Sequence, residues 1–329
     1  MRITPFSSKA WRFLVVQHRQ HIENIVARET RLMNFKNWLN RKTDEWTYRY
    51  LPKFVNILVA GSTARAQNLL KNKCLRILVD TSVLGHSITH ETAWISTGPQ
   101  KWGDIDVDTG YAARIGVYGP DSDSDIFANV RYLPGLAHLV EKRHLEFCTS
   151  AELQEELYRQ PSGRFRGYGS FDHNLFARVQ MQSVDGYAIG VTGPRWMGLP
   201  SHCEQQQARL ESYDDPVYLA LVRAMGPKNN LDAWHICTAE RQGMHCFLTM
   251  DFKLVRIAKA NSHREPFKSL KTRIMTPKDL AAELGLMPIS PLLFSYHGAS
   301  YHVRPDLHWP DNKRRRPTRR SSRSKTKDD

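Results

Sequence analysis

Four groups of acidic residues stand where metal-assisted hydrolysis would need them. Asp80 closes the apolar run Leu75–Val79, and Asp251 closes the run His245–Met250. In an open parallel sheet, ligands bind in the crevice beyond the carboxyl ends of the strands, so two such aspartates meet at one rim if their strands are neighbours. Asp232 opens the helix that leads through a tight turn into the second of these strands, and can return to the same edge. Glu152, Glu155 and Glu156 lie on the helix after the run Leu145–Thr149; Glu152 and Glu156 share a face at i, i+4, and either can point inward. Carboxylates crowded at one rim repel one another unless a divalent cation neutralises them. An all-oxygen donor set suits Mg²⁺ or Mn²⁺, which keep waters and accept phosphate oxygens. Such a cation can activate water against phosphorus and stabilise the charge that develops, so no protein nucleophile is required. Each acid also has an ordinary explanation, because an aspartate at a strand end commonly caps the next helix and Asp232 is favourable at any helix start.

The elements that must position these acids alternate strand and helix, which argues for a parallel sheet covered on both faces. Residues 1–70 are expected to form a separate helical extension. From Trp11 to Leu39, apolar residues recur at spacings of three and four among Arg, Lys and Glu, and a loop is expected around Gly61, Ser62 and Thr63. The main domain is placed at 71–287. Within it, residues about 88–125 look like an insertion with β-like pieces at Thr92–Ser96 and Ala112–Tyr118, and residues about 160–201 form a long loop or small hairpin. Helices are expected over about Ile126–Lys142 and Glu204–Met225, the second broken by Pro216. Thr276 is placed as an N-cap, Pro277 at the first helical position and Gly285 at the stop. A C-terminal extension at 288–311 precedes a tail at 312–329.

Three segments also resemble a known family. Ile77-Leu78-Val79-Asp80-Thr81-Ser82-Val83-Leu84 resembles the opening motif of PIN-domain nucleases. Leu231–Ala239 followed by Cys246–Asp251 is similar to that family's later acidic motifs in order and spacing. Thr149–Leu157 looks like its strand-helix segment, with Glu156-Leu157 the better match, and the Thr276-Pro277 helix looks like its closing element. The resemblance covers about 74–286, interrupted by the insertion. It implies a three-layer α/β/α sandwich with a central, mainly parallel sheet, and metal-dependent cleavage, usually of single-stranded RNA. It further implies that Asp80, Glu156, Asp232 and Asp251 bind Mg²⁺ or Mn²⁺, while Ser82 and Thr249 donate hydrogen bonds to a carboxylate, water or phosphate. The N-terminal helices, the insertion with the long loop, and the basic tail depart from the compact toxin-type members, which leaves the substrate and any toxin role open.

Composition bears on partners. The 329 residues carry a formal net charge of +14, an attraction to polyanions. Half of it sits after Asn312, where nine basic residues, among them Arg314, Arg315 and Arg316, face two acidic ones. Such a segment is expected to be a disordered arm, serving either solubility or non-specific phosphate binding. Arg164, Phe165, Arg166, Tyr168 and Phe171 mix cations with stacking rings, as single-strand surfaces do, although a loop packed by its own aromatics would look similar. Nucleic acid is therefore the expected partner, with RNA before DNA only as the resemblance implies, and the N-terminal helices leave room for an inhibitor or partner protein. The alternatives are a nuclease for DNA or branched structures and a non-cleaving binding scaffold. Five scattered cysteines without C-x-x-C spacing read as buried thiols, and no apolar run approaches a signal peptide or membrane span, so the cytoplasm is the expected compartment. Asp104, Asp106 and Asp108 imitate a calcium loop, but Thr109 and Ile115 stand where an EF-hand needs glycine and glutamate; Asp121, Asp123 and Asp125 fail similarly. The pairs His202-Cys203 and His245-Cys246 cannot chelate readily through adjacent side chains. His86 and His235 lie beside the acids, within reach of a substrate, although such histidines more often serve packing.

Overall fold

Leu75–Val79 is apolar except for Arg76, and its last three residues, Ile77, Leu78 and Val79, are fully buried, as a strand covered on both faces requires. In the computed structural model the described residues are 38–39, 42–43, 46, 49–118, 124–159, 172–185, 195–294 and 300–302. Their order is α1 (residues 49–69), β1 (Leu75–Val79), α2 (Thr81–His86), β2 (Ile88–Trp102), β3 (Ile105–Gly116), α3 (Asp125–Val130), α4 (Leu133–Glu141), β4 (Leu145–Thr149) and α5 (Ala151–Arg159). Then follow β5 (His173–Asn174), β6 (Gln182–Ser183), α6 (His202–Ser212), α7 (Pro216–Met225), α8 (Asn230–Arg241), β7 (Cys246–Leu248), α9 (Phe252–Ala260), β8 (Arg273–Met275), α10 (Pro277–Leu284) and β9 (Ser300–His302).

The protein is α/β, with a central five-stranded parallel sheet of order β6-β4-β1-β7-β8. Successive side chains on a strand point to opposite faces, and each face has its own core. Ile77, Val79, Phe147 and Leu248 pack with Leu133 and Leu136 of α4, Leu280 and Leu284 of α10, and Ala66 of α1. Leu78, Cys148 and Phe247 pack with Leu221 of α7, Ile236 and Cys237 of α8, and Leu254 of α9. Helices thus flank both faces, an arrangement compatible with a three-layer sandwich. A second sheet is antiparallel, of order β5-β2-β3-β9, and begins directly after α2.

Several expectations are corrected. The stretch about Gly61 is helical, not a loop; the Ser62 and Thr63 hydroxyls donate to the carbonyls of Val59 and Ala60, so their polar groups are satisfied inside the helix. The insertion holds one long hairpin, β2 with β3, rather than two short pieces. The helix expected over Ile126–Lys142 is two, because Pro134 lacks an N–H and fits only the first turn of a new helix. Cys148, Cys237 and Cys246 are buried free thiols, whereas Cys74 and Cys203 are exposed. Two compact units divide the chain at Phe54 and Val55. In the first, every described residue is helical, and the Trp46 and Tyr50 rings lie 5.3 Å apart. In the second, Val55, Ala66 and Leu70 are core residues, so that unit takes in part of the 1–70 extension. Among the described residues, no helix is long and apolar enough to cross a membrane.

The end of α10 has the expected chemistry: Thr276 and Asp279 form a capping box, and Gly285 adopts φ 70°. A Cβ at Gly285 would also lie 2.6 Å from Cδ of Arg65. Gly285→Ala is therefore expected to lower stability by about 1–2 kcal/mol in urea denaturation; a change within error would show that neither the left-handed conformation nor the close approach matters.

Candidate functional site

Parallel pairing sets the site. Val79 pairs with Leu248, and the Asp80 N–H donates to the Leu248 carbonyl at 2.9 Å, so Asp80 emerges beside Thr249. Asp80 occupies the N-cap position of α2 yet makes no capping bond. Its carboxylate instead accepts from three hydroxyls: Ser82 Oγ and Thr249 Oγ1 at Oδ2, the latter at 2.6 Å, and Thr81 Oγ1 at Oδ1, 3.3 Å. Ser82 Oγ in turn accepts the Met250 N–H at 3.0 Å, and Thr249 Oγ1 accepts the Asp251 N–H at 2.9 Å. These bonds tie the ends of β1 and β7 into one unit.

Thr81 Oγ1 also reaches Glu156 Oε2 at 3.0 Å, so its single proton is shared between the two carboxylates, nearer to Glu156. The other Glu156 oxygen, Oε1, lies 3.1 Å from Nε2 of His235, which is buried, with its Nδ1 lacking a hydrogen-bond partner. Burial acts most strongly on His235 and disfavours its cation. The hydrogen bond and charge of Glu156, with the charges of Asp80 and Asp232, outweigh it and raise the pKa above the usual histidine value.

Asp232 lies in the first turn of α8, whose N-cap is Asn229. Burial, foremost, pushes its pKa from 3.8 up to about 6; the charges of Asp251, Asp80 and Glu156 add to the rise, and His235 opposes it. Asp251 differs from Asp80, since its Oδ1 caps α9 by accepting from the N–H groups of Lys253 at 2.8 Å and Leu254 at 3.2 Å. Its ordinary structural role is therefore real, and the second oxygen is the one left to consider for a ligand.

The three glutamates of α5 are sorted. Glu152 and Glu155 are 2% and 1% exposed, and both are gripped by Arg209 of α6; Gln206 adds a 2.8 Å bond to Glu152, and His202 lies 3.2 Å from Glu155. Only Glu156 meets Thr81 and His235. Spacing alone leaves Glu152 and Glu156 both able to point inward, the resemblance implies Glu156, and neither assigns a role to Thr81. His86 is engaged with Tyr118, whose hydroxyl lies 3.2 Å from Nδ1. Asp104 and Asp106 are exposed on the β2–β3 hairpin, and Asp125 starts α3 behind the Ser124 cap. Arg164, Arg166, Arg314, Arg315 and Arg316 lie outside the described residues, as do Asp121 and Asp123.

The donor chemistry of Asp80, Glu156, Asp232 and Asp251 fits a hard divalent cation: all oxygen, mutually repelling, at one rim. The conformation is not one of direct chelation. Among the described residues, no group of three or more His, Cys, Asp or Glu side chains is set to hold a metal ion. Asp80 and Glu156 face hydroxyl and imidazole donors instead, which would have to share or yield their acceptors. Fold and site together define an α/β protein with an acidic cluster at the carboxyl edge of a parallel sheet. The chain matches no protein-family model, no curated protein and no solved structure.

The raised pKa of Asp232 makes stability depend on pH. Because the folded value lies above 3.8, its favourable contribution is full below about pH 4 and is lost as pH rises through about 6. Without added cation, Asp232→Asn is expected to gain about 1–2 kcal/mol over the parent at pH 8, after discounting for partial exposure, and little at pH 4. Urea denaturation across that range checks it; a gain equal at both ends would show that Asp232 is not electrostatically strained.

Proposed function

We propose that the chain is a metal-dependent endonuclease of PIN type that hydrolyses phosphodiester bonds, with single-stranded RNA the favoured substrate. The observation that carries this reading is Asp80, which forgoes the helix cap its position offers and is held by three hydroxyls among three other acids. The PIN-like segments around Asp80, Glu156, Asp232 and Asp251 support the reaction class and the preference for RNA; the surplus of positive charge supports a polyanionic partner.

Those four carboxylates would hold Mg²⁺ or Mn²⁺. When bound, the cation supplies charge neutralisation, activation of water and stabilisation of the phosphate's developing charge. The chain's own residues do the positioning. Ser82 and Thr249 fix Oδ2 of Asp80, and Thr81 sets the spacing between Asp80 and Glu156. His235 orients Glu156 through Nε2 and compensates part of its charge. Without a cation Asp232 keeps its proton below about pH 6, and a bound cation would favour its carboxylate and displace that proton.

Labelled single-stranded RNA and DNA, incubated with Mn²⁺, Mg²⁺ or EDTA, test the proposal. Cleavage of RNA should need the metal and fall at least about 100-fold in Asp80→Asn and Asp251→Asn, with circular dichroism unchanged. Binding of either polymer without cleavage under any metal condition would sink the nuclease reading and leave a scaffold.

A further inference from the structure

A cavity of about 360 Å³ opens beside the acid cluster, between α5, α6 and α8. We infer that it receives a nucleobase of the single strand, next to the bond that is cut; the inference rests on the nuclease reading for its biological meaning, but not for its chemistry. Its size falls in the range of small-molecule sites. The tilted pair Tyr213 and Trp234, with ring centroids 4.3 Å apart, forms its aromatic wall. Ser212, whose hydroxyl donates to the Arg209 carbonyl at 3.1 Å, Thr238 and Gln242 are its uncharged polar lining residues.

The charged groups in the lining already have counterparts. Glu152 is held by Arg209 and Gln206, Arg241 by Asp215 at 2.7 Å, and Asp185 accepts the Ala151 N–H at 2.8 Å. A phosphate or a cation would have to break one of these pairings to bind. A flat, neutral ring with donors and acceptors on its edge need not: it can pack against the aromatic wall and meet the hydroxyls.

Location selects a base over other flat molecules. Glu152 lines the cavity and Glu156 belongs to the cluster, four residues apart on α5, which is about 6 Å along a helix axis. On α8, Trp234 of the cavity is two residues from Asp232 and one from His235, about 3 Å or less along the axis, on the neighbouring face of the helix that also carries Thr238 and Arg241. A strand whose phosphate lies among the acids therefore has the cavity within the reach of a neighbouring nucleotide.

The test is titration of the full chain with adenosine, guanosine, cytidine and uridine, following the indole N–H signal of Trp234 by NMR, assigned through Trp234→Phe. At least one nucleoside should shift that signal saturably. Thr238→Val, which removes a hydroxyl but keeps the branched shape, and Trp234→Leu should each weaken binding about 10-fold. Thermal melts establish that the variants fold, and the milder Thr238→Val serves if Trp234→Leu does not. No shift up to millimolar nucleoside, or binding unchanged in a folded variant, would overturn the inference. Cleavage of RNA without nucleoside binding removes the cavity's role and keeps the nuclease. Nucleoside binding by a chain that cuts neither polymer does the reverse.

Discussion

Burial of mutually repelling carboxylates at the carboxyl edge of the sheet is the constraint on which the rest of the site turns. Burial, foremost, and then the charges of Asp251, Asp80 and Glu156 raise the pKa of Asp232 to about 6. The cluster persists because other groups restrain it: three hydroxyls on Asp80, an imidazole on Glu156 and two backbone amides on Asp251. Those restraints depend on strand register. A slip of one residue between β1 and β7 would set Asp80 beside a residue other than Thr249 and exchange the two faces of the strand. The two apolar cores oppose that slip, since Ile77 and Val79 belong to one and Leu78 to the other. Core packing thereby fixes polar geometry at the rim.

The arrangement of α5 shows a second use of charge. Two of its three glutamates are buried against Arg209, and such networks contribute little net stability against apolar replacements of similar volume. What the network does determine is rotation. With Glu152 and Glu155 bound to α6, Glu156 is the acid turned toward Thr81 and His235. A helix presenting three interchangeable acids to one rim would have no unique orientation, and the Arg209 fork removes that degeneracy.

Much of this was legible in the residues. Strand-terminal Asp80 and Asp251, the Thr276-Pro277-Gly285 frame of α10 and the strand at Leu145–Thr149 follow from local rules of apolar runs and caps. Spacing alone did not choose among Glu152, Glu155 and Glu156, where only the resemblance pointed to Glu156, because the choice depends on α6, more than forty residues further along and joined by no local signal. Thr81 was hidden for a related reason, and His235, although placed beside the acids, had no partner assigned to it. A threonine at a helix start and a histidine inside an apolar helix have ordinary explanations until a partner from another element appears. The helix through Gly61 misled because Gly-Ser-Thr is also turn chemistry; burial of Ser62 and Thr63 against the second unit's core overrides that preference.

Protons and cations compete for the same cluster. In its cation-free form the charge is relieved by the protons that Asp232 retains and that His235 gains, and both pKa shifts point that way. On the nuclease reading, a divalent cation relieves the same repulsion and displaces those protons. Every residue that improves the site for a cation then strains the fold without one, the usual conflict between a prepared site and stability. A rim of four asparagines and glutamines would be easier to fold. The groups that meet these acids are hydroxyls at Asp80, a hydroxyl and an imidazole at Glu156 and backbone amides at Asp251, donors that a cation from solution can displace or share.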